Sequence, residues 1–352
     1  MKKSIVCMFF ASLLAGASAQ AGNDQKKGQV GATELQINPW ARSSGMANAN
    51  TSRIRGVESM NQNIGGLSFV KGTEILFSST KWLSGSDINI NSFGIGQQLG
   101  ESGGVMGLSV MAMDMGDFKQ TTEDAPDQDI NFGVSMINLG LSYSKTFSNA
   151  IHGGITVRVI SESIPDASAV GVAFDGGVQY TTSLGKDSLA KDNLHIGVSL
   201  RNVGPEMQFS GDGLAGRGTM NGQTVNRSIN ERSESFELPA LLNIGVAYDI
   251  NLSALNRLTV AANFVSNTAS DDQIQLGAEY AFNEKFMVRG GFDYHKGIFG
   301  DEREMAHTGP TAGATVQLPF GEDNTRIFGL DYSYRASNPW GGSHSVGIKL
   351  GF

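Results

Sequence analysis

The stretch HSVGIKLGF, residues 344–352, decides how the rest of the chain is read. Successive side chains of a strand point to opposite faces. Val346, Ile348, Leu350 and Phe352 therefore share one face, and Ser345, Gly347, Lys349 and Gly351 the other. A strand of a soluble protein ordinarily runs on into a polar tail. Here the final side chain is a large aromatic on the apolar face.

The same alternation recurs upstream. In LHIGVSLRN (194–202), Leu194, Ile196, Val198 and Leu200 alternate with His195, Gly197, Ser199 and Arg201. LNIGVAYDIN (242–251), FMVRGGFDY (286–294) and IFGLDYSYR (327–335) repeat the pattern. A period of two over nine or ten residues gives one apolar and one polar face. A soluble sandwich buries the apolar face, whereas a transmembrane barrel turns it outward to lipid. Strands of soluble proteins cluster near about five or six residues; tilted membrane strands need about nine to eleven. The long segments favour the barrel.

Strands are expected at 72–82, 87–99, 104–116, 130–147, 150–163, 170–185, 193–204, 236–252, 257–267, 272–283, 285–296, 309–320, 325–336 and 342–352. Fourteen is even, as a bacterial barrel requires. Links at 100–103, 148–149, 186–192, 284 and 321–324 are short. Most of the alternate ones, 117–129, 205–235 and 296–308 among them, are longer and polar. The expected fold is all-β: a transmembrane antiparallel β-barrel of about 14 strands with an N-terminal plug segment. In a barrel the last strand pairs with the first, so that no edge is left open in lipid. Val346, Ile348, Leu350 and Phe352 then form the membrane-insertion signal, read by the outer-membrane barrel assembly machinery. Arginine at Val198 or Val246 should meet lipid, while a hydrated lumen should accept arginine at Ser199 or Ala247.

Residues 1–19 have the build of a cleaved secretory signal: Lys2 and Lys3, an apolar run from Ile5 to Leu14, then Ala17-Ser18-Ala19. Residues 20–71 lack sustained alternation and are expected to fold back as a plug, and 72–352 to form the barrel. Location in the cell outer membrane of a Gram-negative bacterium, both termini periplasmic, follows. There are 46 glycines against 8 prolines, which suits strands with tight turns. The formal charge of −8 makes nucleic acid a poor partner; outer-membrane lipid is the expected surroundings. The only cysteine, Cys7, lies in the signal, so no disulfide or thiol nucleophile is expected.

No catalytic, cofactor or metal set stands out. His152, His195, His295, His307 and His344 are scattered without ligand spacing. GIGQQLG (94–100) superficially resembles a phosphate loop but lies in a strand, where its glycines would let the lumen face pack closely. Charges on the inward face, Arg158, Asp175, Arg201, Asp249, Glu279, Arg289, Asp293, Asp331 and Arg335, line the lumen. Their mixed signs suit pairing across strands better than an ion filter of one sign. The longest link, 205–235, mixes Met207, Phe209, Leu214 and Met220 with Arg217 and Arg227, and is the candidate partner-binding rim, Phe209 its anchor.

Several motifs carry a resemblance: WARSSGMANA (40–49), NIGGLSFVKGTEILFSSTKWL (63–83), GVMGLSVMAMDMGDF (104–118), GLSYSKTFSNAIHGGITVRVI (140–160), GVAFDGGVQY (171–180) and HIGVSLRNVGPEMQFSG (195–211). As an ordered set they resemble the PorV/PorQ family of outer-membrane proteins of the type IX secretion system of Bacteroidota. That family is related in fold to long-chain fatty-acid transporters. The resemblance implies a non-enzymatic role in exporting cargo that carries a C-terminal sorting domain, with cargo and a large translocon barrel as partners. The alternative is a passive outer-membrane channel for hydrophobic small molecules.

Overall fold

The computed structural model describes residues 28–352 except 101, 122–129, 186–190, 220–225, 269, 301–304 and 322–325. The expected signal (1–19), the start of the 20–71 segment and Met220 lie outside the described residues.

Among the described residues, fourteen antiparallel strands close into a barrel in strict chain order. They are Thr73–Trp82, Ile88–Gln98, Val105–Lys119, Asn131–Thr146, Ile151–Ile164, Ala167–Thr182, Leu194–Val203, Leu241–Asn251, Asn256–Asn267, Gln273–Phe282, Phe286–His295, His307–Phe320, Arg326–Ser337 and Ser343–Gly351. The strand expected from 170 starts earlier, at Ala167. The one expected from 236 starts later, at Leu241, because Ser235–Phe236 pairs instead with Met207–Gln208 in the preceding link.

The last strand closes on the first. Ile75 pairs with Leu350 and Phe77 with Ile348. Thr73 and Phe352 exchange backbone hydrogen bonds of 3.1 and 2.8 Å, and Lys349 lies 2.9 Å from Glu74. The faces have the membrane sense. Leu139, Leu141, Val157, Val159, Val198, Leu200, Ile244 and Val288 are exposed, while Asn138, Arg158, Ser199 and Asn243 between them are buried. No helix among the described residues is long and apolar enough to cross a membrane; crossing falls to the strands.

Phe147, Tyr180, Phe282, Phe286 and Phe320 are exposed at strand ends on the same side as Phe352, and Phe320 meets Phe352 edge-on at 6.5 Å. This is the aromatic girdle that an interface selects. Phe352→Asp puts a charge into that girdle beside the closing pair. It is expected to lower the yield of folded barrel severalfold, read as heat-modifiable gel mobility. A normal yield would contradict the role of the terminal aromatic.

Residues 30–72 occupy the lumen. They form short helical turns, Thr33–Gln36, Ala41–Ser44, Val57–Asn61 and Ile64–Phe69, with no long element. Trp40, Val57, Met60, Ile64, Leu67 and Val70 pack with Leu76 and Val105 of the wall into one apolar cluster. Gly94 allows this approach: a Cβ there would stand 2.5 Å from Val57 Cγ1. Gly94 and Gly96 thus show the close packing expected of this stretch, whereas a Cβ at Gly100 would meet nothing within 4 Å.

Polar contacts fix the segment as well. Asn63 Oδ1 accepts from Gly65 N at 3.1 Å and caps the Ile64–Phe69 turn, while Asn63 Nδ2 donates to Val178 O at 3.1 Å. Gln179 Nε2 donates to Ile54 O at 2.9 Å, and Ser199 Oγ to Gln62 O at 2.7 Å. Buried backbone groups need such partners. The expectation that Ser199 or Ala247 would accept arginine is thereby corrected. Ser199 is engaged by Gln62, and Ala247 packs against Met46, Ala49 and Ala261, so neither faces water.

The described chain begins at the end of the barrel opposite Phe352. Val30 bridges Glu237, and Gly31 N donates to Glu237 O at 3.1 Å, in the link that follows Val203. Residue 30 thus lies at the loop end and Phe352 at the other, and the inner segment runs the length of the lumen between them. The residues before 28, on which the expected side of the N-terminus rests, lie outside the described residues.

Candidate functional site

Two regions concentrate unusual chemistry: the charge network inside the barrel and the long connection at its loop end. The network is built because strand alternation turns every second side chain inward, where the inner segment packs against it and Arg42, Arg53, Glu58 and Glu279 line a polar cavity of about 190 Å³. Glu279 lies 3.1 Å from Arg289 and 3.3 Å from both Arg42 and Arg257. The Asp249 carboxylate meets Arg53 at 2.8 Å, His195 at 3.1 Å and Thr259 Oγ1 at 2.5 Å. Arg158 pairs with Asp175 at 2.6 Å and also donates to Met60 O. Asp331 accepts from Thr315 and stands 3.9 Å from Arg289. Arg201 donates to Leu35 O at 3.1 Å. Asp293 and Arg335 both line a cavity near the loop end.

All nine expected lumen charges are thus inside the barrel. Their partners are not confined to neighbouring strands. Arg42, Arg53 and Glu58 of the inner segment enter the network, and nothing in the 20–71 sequence pattern marked them. Glu58 accepts from Ser43 Oγ at 2.9 Å and faces Arg42 at 4.0 Å. Glu34 is handled differently. It is buried and sits beside the Glu162 carboxylate rather than beside a guanidinium.

At the loop end the wall has a seam. Val203 pairs with Phe174 but Leu200 with Gly176, so the ladder slips by one residue there. Asp175 Oδ1 accepts from Asn202 N at 2.7 Å and fills the break. Beyond it, Ala167–Ala173 has no partner in the next barrel strand; Ser168 instead exchanges backbone hydrogen bonds of 2.9 Å with Ser210, and Met207–Gln208 lies over the gap. Ala32, Leu35, Ile160, Ala169, Ala173, Met207 and Leu238 form an apolar cluster under this cover, with Phe209 and Phe236 packed against it.

The expected partner-binding rim is therefore only partly at the surface. Met207 is 1% exposed, seated where Gly171 leaves room for it, which removes it from the rim. Phe209 stacks at a tilt on Phe236, 5.6 Å between centroids, and is half-buried. Leu214 is half-buried at the edge. Arg217 and Arg227 lie on a small hairpin, Ala215–Thr219 paired with Asn226–Asn230, that stands beyond the cluster.

The model of one protein family, the type IX secretion system membrane protein PorP/SprF, matches residues 76–350. A comparison with curated proteins found no match. Among solved structures, the toluene transporter TodX of Pseudomonas putida aligns with a TM-score of 0.53 at 13% identity, over 89% of this chain and 97% of its own. The toluene transporter TbuX of Ralstonia pickettii aligns with a TM-score of 0.51 at 13% identity, over 89% and 97%. At such identities the likeness is one of fold.

Proposed function

The chain belongs to the PorP/SprF family of type IX secretion system membrane proteins, and from that premise we propose that it is a non-enzymatic docking component of protein export. The resemblance to PorV/PorQ proteins agrees at the level of the secretion system. The finer reading taken from it is that the loop end engages the large translocon barrel, exported cargo with a C-terminal sorting domain, or both. The observation that supports docking over conduction is the filled lumen. Residues 30–72 are anchored to the wall by buried hydrogen bonds and ion pairs on several strands. Opening a path through them would break many contacts at once, whereas the loop end is accessible without rearrangement. In this reading the inner segment is a plug, and the loop end is the outer side.

The hairpin beyond the seam is the part of the long link least committed to the barrel. Replacing residues 212–231 with a brief glycine–serine link keeps Met207, Phe236 and Leu238 in the apolar cluster. It also keeps Ser233, whose Oγ donates to Phe209 O at 2.7 Å. The barrel should fold normally, while co-purified partner and cargo at the cell surface fall severalfold. Intact secretion would remove this hairpin from the mechanism.

A second reading has one observation in its favour: the apolar cluster directly beneath the wall seam. TodX and TbuX are toluene transporters, and a seam over apolar side chains could admit a hydrophobic small molecule from the membrane side. Lost uptake of such a molecule on deletion, with secretion unchanged, would favour this reading.

A further inference from the structure

At the loop end, above the inner segment, lies a cavity of about 260 Å³. Its floor is the inner segment around Gln36 and Asn38. Its walls are strand ends carrying Trp82, Asp293, His307 and Arg335. Asp293 and Arg335 feel each other's charge across this space, but among the described residues neither is held in a close ion pair such as those of Glu279 and Asp249. Asp293 is 9% exposed and its Oδ1 has no hydrogen-bond partner among the described residues. The same holds for Arg335 Nε and for both ring nitrogens of His307. A buried polar atom without a partner carries a desolvation penalty, and an unpaired charge a larger one. Elsewhere in this barrel most buried charges are met by the inner segment or a neighbouring strand, although single atoms such as Arg158 Nε and Arg201 Nε also lack partners. Here several of them, of both signs, line one space.

The side chains are held in place from behind. The Arg335 guanidinium lies over the Trp82 ring at 5.4 Å, and His307 meets the same ring edge-on at 4.8 Å. Trp82 in turn packs against the Ile90, Met111 and Met113 cluster. The pocket is therefore organised before anything enters it, which lowers the cost of binding. Among the described residues no three His, Cys, Asp or Glu side chains are placed to hold a metal ion. A ligand of single charge would compensate either Asp293 or Arg335 and leave the other. A neutral polyhydroxyl solute would offer hydrogen bonds but no charge. A solute with a carboxylate and an ammonium on adjacent carbons answers both, and the volume suits amino-acid size.

We propose that this cavity binds a small zwitterion, a free α-amino acid, with its carboxylate on Arg335 and His307, its ammonium on Asp293 and its side chain against Trp82. The site is independent of the docking role and stands or falls separately from it.

The test uses the mature chain folded in detergent and titration calorimetry with four probes: L-alanine, propionate, ethylamine and glucose. L-Alanine should bind saturably. Propionate and ethylamine, each lacking one charged group, should bind about tenfold or more weakly, since a hydrogen bond to a charged group is worth at least that factor. Asp293→Asn and Arg335→Gln, each checked for folding by heat-modifiable mobility, should lose L-alanine binding by a similar factor. Arg335→Lys, which keeps the charge but not the planar fork, should retain part of it. Binding of glucose as tight as L-alanine, equal binding of the single-charge probes, or no saturable binding of L-alanine at tens of millimolar would each overturn the proposal. Unchanged L-alanine affinity in both Asp293→Asn and Arg335→Gln would do the same.

Discussion

Glu279→Leu is expected to destabilise the barrel by about 3–5 kcal/mol, the cost of leaving a buried charge without its partner. Three guanidiniums converge on this one carboxylate, and the Arg289 side chain is wholly buried. Without Glu279, Arg289 keeps its hydrogen bond to Thr315 Oγ1 but, as its nearest carboxylate, only Asp331 at 3.9 Å, beyond good hydrogen-bond reach. Arg257 retains Glu284 at 2.7 Å and is less affected. The loss therefore concentrates on Arg289 and on Arg42, which joins the inner segment to the wall. Urea unfolding of the refolded protein would measure it. Arg42→Met, at a side chain with more access to solvent, should cost clearly less. A loss below about 1 kcal/mol for Glu279→Leu is what a solvated surface pair would give, and would contradict a buried network.

Val198→Arg is expected to cost about 2–4 kcal/mol in a bilayer, the penalty for arginine on the lipid face near the midplane. Val198 is exposed and is flanked by Val178 and Ile244, both exposed on the same outer face. The penalty should fall with depth: Tyr180→Arg, near the strand end, should cost about 0–1 kcal/mol. Ser199→Arg is a different experiment. It must displace Gln62 from the wall, so its cost should be as large as that of Val198→Arg and insensitive to the surrounding lipid. A mild effect at Ser199 would restore the hydrated lumen that sequence patterning suggested. Equal costs at Val198 and Tyr180 would remove the membrane register.

What could be read from the chain and what could not divides along a physical line. Strand period is a local property, and Val346, Ile348 and Leu350, or Ile196, Val198 and Leu200, announce it without help from the rest of the fold. The strand order, the closing pair and the inward charges follow from that period, whereas ends such as Ala167 and Leu241 were set by pairing outside it. The inner segment has no period to read. Its turns around Ala41–Ser44 and Ile64–Phe69 are held by wall contacts such as Asn63 to Val178, which join residues more than a hundred positions apart. Hence Arg42, Arg53 and Glu58 were invisible as network members. Met207 failed for a related reason. An apolar residue in a long link can be offered to a partner or folded inward. The choice was made by the register slip at Phe174 and Gly176 and by the room at Gly171, neither of which is local to Met207. The position of residue 30 was likewise set by a single distant pairing, with Glu237.

The central claim is that this barrel serves export by docking rather than by conducting. The most direct measurement is affinity purification of the intact chain from native outer membranes, followed by identification of the proteins that remain bound. The account predicts that the large translocon barrel, exported cargo, or both co-purify in stable amounts, and that these partners fall away when residues 212–231 are shortened. Recovery of the barrel with lipid and assembly factors alone, from cells that are actively secreting, would contradict it.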